Sequence, residues 1–283
     1  MRDLSDISAE TPLFLVDAPA LRSGLVRMRA LADEAGCAVL IRPREIPRFL
    51  LSLFSEFAGG TAAQTLEEAR LGRAHIGGAA LFSTAACRKE DAEIAAELCS
   101  HAAFLSIGQA EKHRAVLMER GVLVGLTVTP ENLRGVCGMD GARLREAGVS
   151  GFRFVFPASG ALHAWKTLEA FGKQALGEAR WLSFGRGFSL CGGEGRAEFC
   201  AGVLREIKKR GFEVYLEAGH EAARGAVHLL CTVLDVLPGL PPTAVLDFSA
   251  AAVAPDLPRP RVDGAGYPGE KPYHSRLIGM AGD

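Results

Sequence analysis

From Ala38 onward the chain sets short apolar runs against stretches of helical spacing, and few folds accommodate that rhythm. The runs that read as strands are Ala38 to Pro43, Phe57 to Ala63, Ala79 to Thr84, Ala102 to Ile107, Leu123 to Thr129, Gly151 to Phe156, Trp181 to Gly185 and Val214 to Glu217. Between most of them lie helical patterns: Leu66 to His75, Asp91 to Cys99, Gln109 to Arg120, Leu162 to Gly172 and Arg196 to Arg210. Eight strands separated by helices or helix-length connections, over about 180 residues, are what a (β/α)8 barrel requires. A doubly wound open sheet is the main rival. It would carry a glycine-rich phosphate turn after its first strand, and none is visible.

Ahead of the barrel, Thr11 to Asp17 reads as a short strand, and Asp17-Ala18-Pro19 offers a helix start. Leu21, Leu25, Met28 and Leu31 then recur at helical spacing until Gly36. The pattern changes at Gly225. Val227 to Val236 is mostly apolar and β-branched, Pro238 to Pro242 breaks the chain, Thr243 to Ser249 reads as a strand, and Tyr273 to Ile278 follows a turn-rich stretch. The expected organisation is a barrel over residues 18–224 and a small β domain made of residues 225–283 together with the N-terminal strand in residues 1–17.

A formal charge of -1 across 283 residues gives no sign of a nucleic-acid or membrane-surface partner. No apolar run approaches the roughly 20 residues of a membrane span. Met1 to Glu10 carries acidic residues without an apolar core, so no signal peptide is expected. The seven cysteines are scattered and form no CxxC pair, which suits reduced thiols in a cytoplasmic protein. The seven histidines show no metal-ligand spacing, so no metal site is expected.

Several segments, in order along nearly the whole chain, carry a resemblance. They are Thr11-Pro12 with its strand, Glu67 to Arg73, Trp181 to Gly187, Val214 to Gly219, Leu246-Asp247 with Ser249, Pro255-Asp256, and Gly264 to Lys271. In these the chain resembles the fold-type III pyridoxal-phosphate decarboxylases, and among them carboxynorspermidine/carboxyspermidine decarboxylase. The resemblance implies an alanine racemase-like barrel with a β domain, pyridoxal phosphate as the family cofactor, and a head-to-tail homodimer that shares its active sites.

The same resemblance locates substitutions. The family binds its cofactor as a Schiff base on a lysine at the end of the first barrel strand, and Arg44 aligns there. A guanidinium stays protonated and forms no aldimine. Lys89, Lys112, Lys166, Lys173, Lys208 and Lys209 fall on helical patterns or their edges, and Lys271 lies in the β domain. Val155 aligns with the histidine that stacks on the coenzyme ring, while Ala252 and Val253 align with an expected cysteine and histidine. The phosphate-binding glycine run reads Gly185-Arg186-Gly187. Ile278-Gly279-Met280 runs into Ala281-Gly282-Asp283 without the family's threonine-cysteine, and the tail with its phosphate-binding tyrosine is not expected. Glu217, implied as partner of the pyridinium nitrogen, is present and is followed by Ala218 and Gly219. No covalently bound cofactor is therefore expected, and Gly185, Arg186, Gly187, Glu217 and Gly219 read as the remnant of a cofactor site.

Residues two apart on a strand share a face, so Arg42 pairs with Arg44 and Arg153 with Val155. If Arg44 faces the barrel mouth, then Arg42, Arg44, Arg153 and Arg186 converge there opposite Glu217. Buried unpaired charges cost several kcal/mol each. Three arrangements fit: a salt-bridge and water cluster filling an emptied site, a pocket for a phosphate or carboxylate, or a strand register shifted by one residue. His220, just after Glu217, and Asp256, which resembles a substrate-binding aspartate, complete the candidate pocket. Cys191-Gly192-Gly193 reads as a turn or a reactive thiol, and Glu67 to Arg73 as a solvated helical face with internal ion pairs. Three functions follow: a non-catalytic homodimer or partner of an active paralogue, an anion-binding protein or repurposed enzyme, and an active decarboxylase of polyamine synthesis.

Overall fold

The computed structural model describes residues 10–156, 160–185, 190, 195–223, 225–239, 242–248 and 276–278. The chain divides into two compact units, Pro19–Arg224 and Met1–Ala18 with Gly225–Asp283.

In the second of these units β1 (Leu13–Val16) precedes α1 (Ala18–Ala35), most of which belongs to the other unit. Leu21, Leu25, Met28, Ala32 and Ala35 recur on the buried stripe of α1 at helical spacing. Gly36, at φ +68°, ends the helix in a left-handed turn that a side chain would strain, and Cys37 N–H closes it on the Ala32 carbonyl at 3.0 Å.

The barrel strands are β2 (Ala38–Ile41), β3 (Gly60–Ala63), β4 (Ala79–Thr84), β5 (His101–Phe104), β6 (Leu123–Val128), β7 (Val149–Phe154), β8 (Trp181–Phe184) and β9 (Glu213–Ala218). All neighbours run parallel, and β9 closes on β2 with Leu40 opposite Glu217 and Ile41 opposite Ala218. The expected (β/α)8 barrel with an added β domain is the architecture observed. Between β2 and β3 lie two 3-10 turns and α2 (Leu51–Ser55). The longer connecting helices are α3 (Leu66–His75), α4 (Lys89–Leu98), α5 (Ile107–Glu119), α8 (Gly160–Phe171) and α10 (Arg196–Lys208). Short helices α6 (Leu133–Cys137) and α7 (Gly141–Glu146) fill the connection between β6 and β7, where the sequence shows no helical pattern, and α9 (Lys173–Glu178) follows α8. They are too short to show a periodic stripe.

Two strands end earlier than their apolar runs. Ser106 caps α5 by accepting from Gln109 N–H, so the run Ala102 to Ile107 is divided between strand and helix. Pro43 has no N–H for the ladder, so β2 stops at Ile41 and the chain enters a 3-10 turn, Pro43–Glu45.

In the β unit, β10 (Val227–Leu230) pairs antiparallel with β1. The apolar run Val227 to Val236 is divided between two strands. β11 (Val233–Leu237) joins a separate sheet with β12 (Thr243–Leu246) and β13 (Arg276–Ile278). Asp247 marks the corner: its carboxylate accepts from Thr232 N–H at 3.0 Å and from the Thr11 hydroxyl. Among the described residues no helix is long and apolar enough to cross a membrane.

Candidate functional site at the barrel mouth

Alternation along the strands divides the barrel interior into a floor and a mouth. Leu40, Ala62, Leu81, Ala103 and Trp181 pack together inside. Trp181 fits because Gly125 and Gly151 leave it room; a Cβ at either would fall on its ring. His101 meets the Trp181 and Tyr215 rings edge-on, each at 5.0 Å between centroids. Burial holds the His101 imidazole neutral, pushing its pKa down to about 4 against a smaller opposing effect of Glu213.

Two residues nearer the C-terminal strand ends, the same inward face turns polar. Arg153 donates from Nε to Glu217 Oε1 at 2.6 Å and from Nη2 to Oε2 at 2.7 Å, a two-point ion pair. Ser183, on the strand between them, donates to Glu217 Oε1 at 3.0 Å. Glu217 is 1% exposed and Arg153 7%. Burial raises the Glu217 pKa, but the charge and hydrogen bonds of Arg153, then the charge of Arg42 and the Ser183 hydroxyl, together hold it below the usual carboxylate range. Gly185 lies against this group: a Cβ there would come within 3.4 Å of Glu217 Oε2.

Arg42 is also buried, and its Nη1 lies 3.0 Å from Glu45 Oε1. A Cβ at Gly219 would strike the Glu45 carboxylate, so the glycine gives Glu45 its place. Gly185 and Gly219 thus make space for two carboxylates.

Arg44 does not join this cluster. Its side chain is 58% exposed, donating from Nη1 to Gln64 Oε1 at 3.1 Å with Nε 3.9 Å from Glu68 Oε1. The strand alternation that would have aligned it with Arg42 ended at Pro43. Glu68 departs from the solvated face expected of Glu67 to Arg73, because it is buried and accepts from Gln64 N–H at 2.8 Å, while Thr65 caps the same helix. Val155 is half-buried and lines a cavity of about 310 Å³ with Arg153.

Lys89, Lys112, Lys166, Lys173, Lys208 and Lys209 are all exposed, on or immediately after outer helices. Arg186, Gly187, Cys191, Ala252, Val253, Asp256 and Lys271 lie outside the described residues, as does the His220 side chain. Among the described residues no group of histidine, cysteine, aspartate and glutamate is arranged to hold a metal. The buried thiols of Cys37 and Cys99 are pushed up to about 12 by burial, which suits packing rather than reactivity. Ser183, Glu45 and Glu68 were missed as site residues. Ser183 could have been found by counting back from Glu217 across neighbouring strands, and Glu45 by treating Pro43 as the start of a helical turn with Arg42 three residues away.

No known family profile matches the chain. It is 21% identical over 267 residues to the carboxynorspermidine/carboxyspermidine decarboxylase of Campylobacter jejuni, spanning 87% of this chain and 70% of that protein. The crystal structure of carboxynorspermidine decarboxylase from C. jejuni with norspermidine superposes with a TM-score of 0.72 at 18% identity, over 86% of this chain and 68% of that one. The agmatine-bound arginine decarboxylase of Paramecium bursaria Chlorella virus gives 0.73 at 12% identity, over 97% and 84%. The cadaverine-bound lysine/ornithine decarboxylase of Vibrio vulnificus gives 0.71 at 17%, over 96% and 80%. The chain thus shares the fold of these decarboxylases and, over 87% of its length, is similar in sequence to the C. jejuni carboxynorspermidine/carboxyspermidine decarboxylase.

Proposed function

We propose that this chain belongs to the fold-type III pyridoxal-phosphate decarboxylases but lacks aldimine chemistry, acting as a homodimer or as the structural or regulatory partner of an active paralogue in the cytoplasm. The observation that carries this reading is the engagement of Glu217: both its oxygens already accept hydrogen bonds, from Arg153 and Ser183. Three of its roughly four acceptor sites are in use, and its charge is already paired with a guanidinium instead of a coenzyme ring nitrogen. A primary amine is also required to bind pyridoxal phosphate covalently. Every described lysine is exposed on or beside an outer helix, and Arg44, aligned with the family lysine, points to Gln64 and Glu68. The described residues do not fit the coenzyme.

The test is to incubate the purified chain with pyridoxal phosphate, reduce with borohydride and look for a mass increase. No adduct and no carbon dioxide release from carboxynorspermidine are expected. A reduced adduct on any lysine would favour the other reading, an active decarboxylase, which the similarity to the C. jejuni enzyme supports. Sedimentation of the chain alone and with an active relative measures the proposed dimer.

A further inference from the structure

The ion pairs of the mouth do not account for the cavity beside them. At about 310 Å³ it is at the low end for small-molecule pockets. Arg153 is the charged side chain on its described wall, with hydroxyls from Ser83, Thr84, Thr127 and Thr129 and the amide of Gln64 around it; the Ser83 hydroxyl is turned to the Ala63 carbonyl at 3.4 Å. The hydrogen-bonding capacity left on each determines what fits. Arg153 uses Nε and Nη2 on Glu217, and a guanidinium carries five N–H donors, so its other edge is still a donor pair. Gln64 accepts from Arg44 through Oε1, which leaves its amide NH2 to give.

Two of the threonines offer the opposite. The Thr84 hydroxyl donates to the Ala86 carbonyl at 3.0 Å, and Thr129 bonds the Glu131 carboxylate, so each presents lone pairs. Thr127 is 5% exposed and also lines the cavity, and a threonine hydroxyl both gives and accepts. Leu105 and Val155 supply apolar wall. Donors, acceptors and apolar surface on one small wall match a short carbon skeleton with a carboxylate and a hydroxyl.

We propose that this cavity binds a small hydroxycarboxylate, its carboxylate on the free Arg153 edge and its hydroxyl given to Thr84 or Thr129. A dianionic phosphate is disfavoured against a monoanionic carboxylate because it brings twice the uncompensated charge to a wall whose guanidinium is already paired with Glu217. A diamine is disfavoured because the Glu217 carboxylate is committed. The inference goes beyond the non-catalytic reading and needs only a mouth free of coenzyme.

The test uses the full chain, first shown by absorbance to carry no pyridoxal phosphate. It is titrated calorimetrically with lactate, 3-hydroxybutyrate and gluconate, and with butyrate, 1,3-butanediol and inorganic phosphate as controls. At least one hydroxy acid should bind about tenfold tighter than the controls, the worth of one hydrogen bond to a charged or buried partner. Thr127→Val and Gln64→Leu should each weaken it by about tenfold while leaving the melting temperature of the unliganded chain in place. Failure of all three hydroxy acids overturns the inference, as does binding that survives both substitutions or a preference for phosphate. A pyridoxal adduct in the borohydride experiment removes the non-catalytic reading instead, and leaves titrations of coenzyme-free chain to be judged separately.

Discussion

The floor and the mouth of this barrel are built on the same eight strands, a few ångströms apart, and are held by opposite physics. At the floor Trp181 fills the space above Gly125 and Gly151, and His101 sits neutral against it. At the mouth, on the same inward faces, Arg153 and Glu217 lie buried as ions. The floor gains from excluding water around rings, while the mouth is stable only because each charge has its partner. Shape is therefore critical at the floor, and matching of charges at the mouth.

The sharpest way to break the comparison is to truncate one residue in each region. Trp181→Ala should cost about 3–5 kcal/mol through the cavity it leaves. Arg153→Met should cost a similar 3–5 kcal/mol for a different reason, an uncompensated buried carboxylate. A second substitution separates them. Adding Glu217→Leu to Arg153→Met should recover most of the loss, because well-packed apolar replacements of a buried pair are often neutral. Replacing His101 by Phe beside Trp181→Ala should not. Urea midpoints of the four variants decide it, and a double variant no more stable than Arg153→Met alone would show that the mouth is also governed by shape.

Acid should separate the two regions by pH. His101 is held near 4 in the folded chain against an ordinary 6.5, so the unfolded chain binds more protons between those values and stability falls as pH is lowered through that window. The full effect is about 3 kcal/mol. Glu217 has a lowered folded pKa, so its contribution is intact above the ordinary carboxylate range and is lost only as pH falls through its own lower value. Stability measured across pH should show the first window disappear in His101→Phe and the second persist.

These contrasts were unevenly legible in the sequence. The barrel was readable because eight apolar runs and their helices repeat a period that chance rarely sustains. Period-two alternation also put Arg42, Arg153 and Glu217 on faces that can meet. It failed at Arg44, where Pro43 replaces strand geometry with a 3-10 turn, and at Glu68, where a buried capping carboxylate reads like a surface charge. The split of Val227 to Val236 into strands of two sheets was not visible either, since Cys231 and Thr232 carry no strong turn signal. Which arginine takes which carboxylate depends on distances across the barrel that no local pattern encodes.

Gly151→Ala tests the floor more gently. Its methyl would meet the Trp181 ring, and overpacking of this kind typically costs about 1–3 kcal/mol. The same substitution at Gly177, where a Cβ meets nothing within 4 Å, lies in the short helix α9 and should be neutral or slightly stabilising, because alanine loses less backbone freedom there. Thermal unfolding of the two variants gives the comparison directly.

The smallest expected effect is at Arg44. Arg44→Lys changes an exposed side chain whose neighbours are Gln64 at 3.1 Å and Glu68 at 3.9 Å, and surface pairs of this kind are worth about 0–1 kcal/mol. Its stability should therefore match the parent within error. Its interest is chemical, since it restores an amine at the position the family alignment points to. Glu217 would still be held by Arg153, and the new lysine would leave the 3-10 turn toward the Gln64 side. Borohydride reduction after pyridoxal phosphate should give Arg44→Lys no more adduct than an exposed lysine elsewhere, measured by peptide mapping. A specific adduct at residue 44 would mean that the turn swings inward when an amine is available, and that the mouth was one substitution from its relatives' chemistry, not remodelled around the Arg153–Glu217 pair.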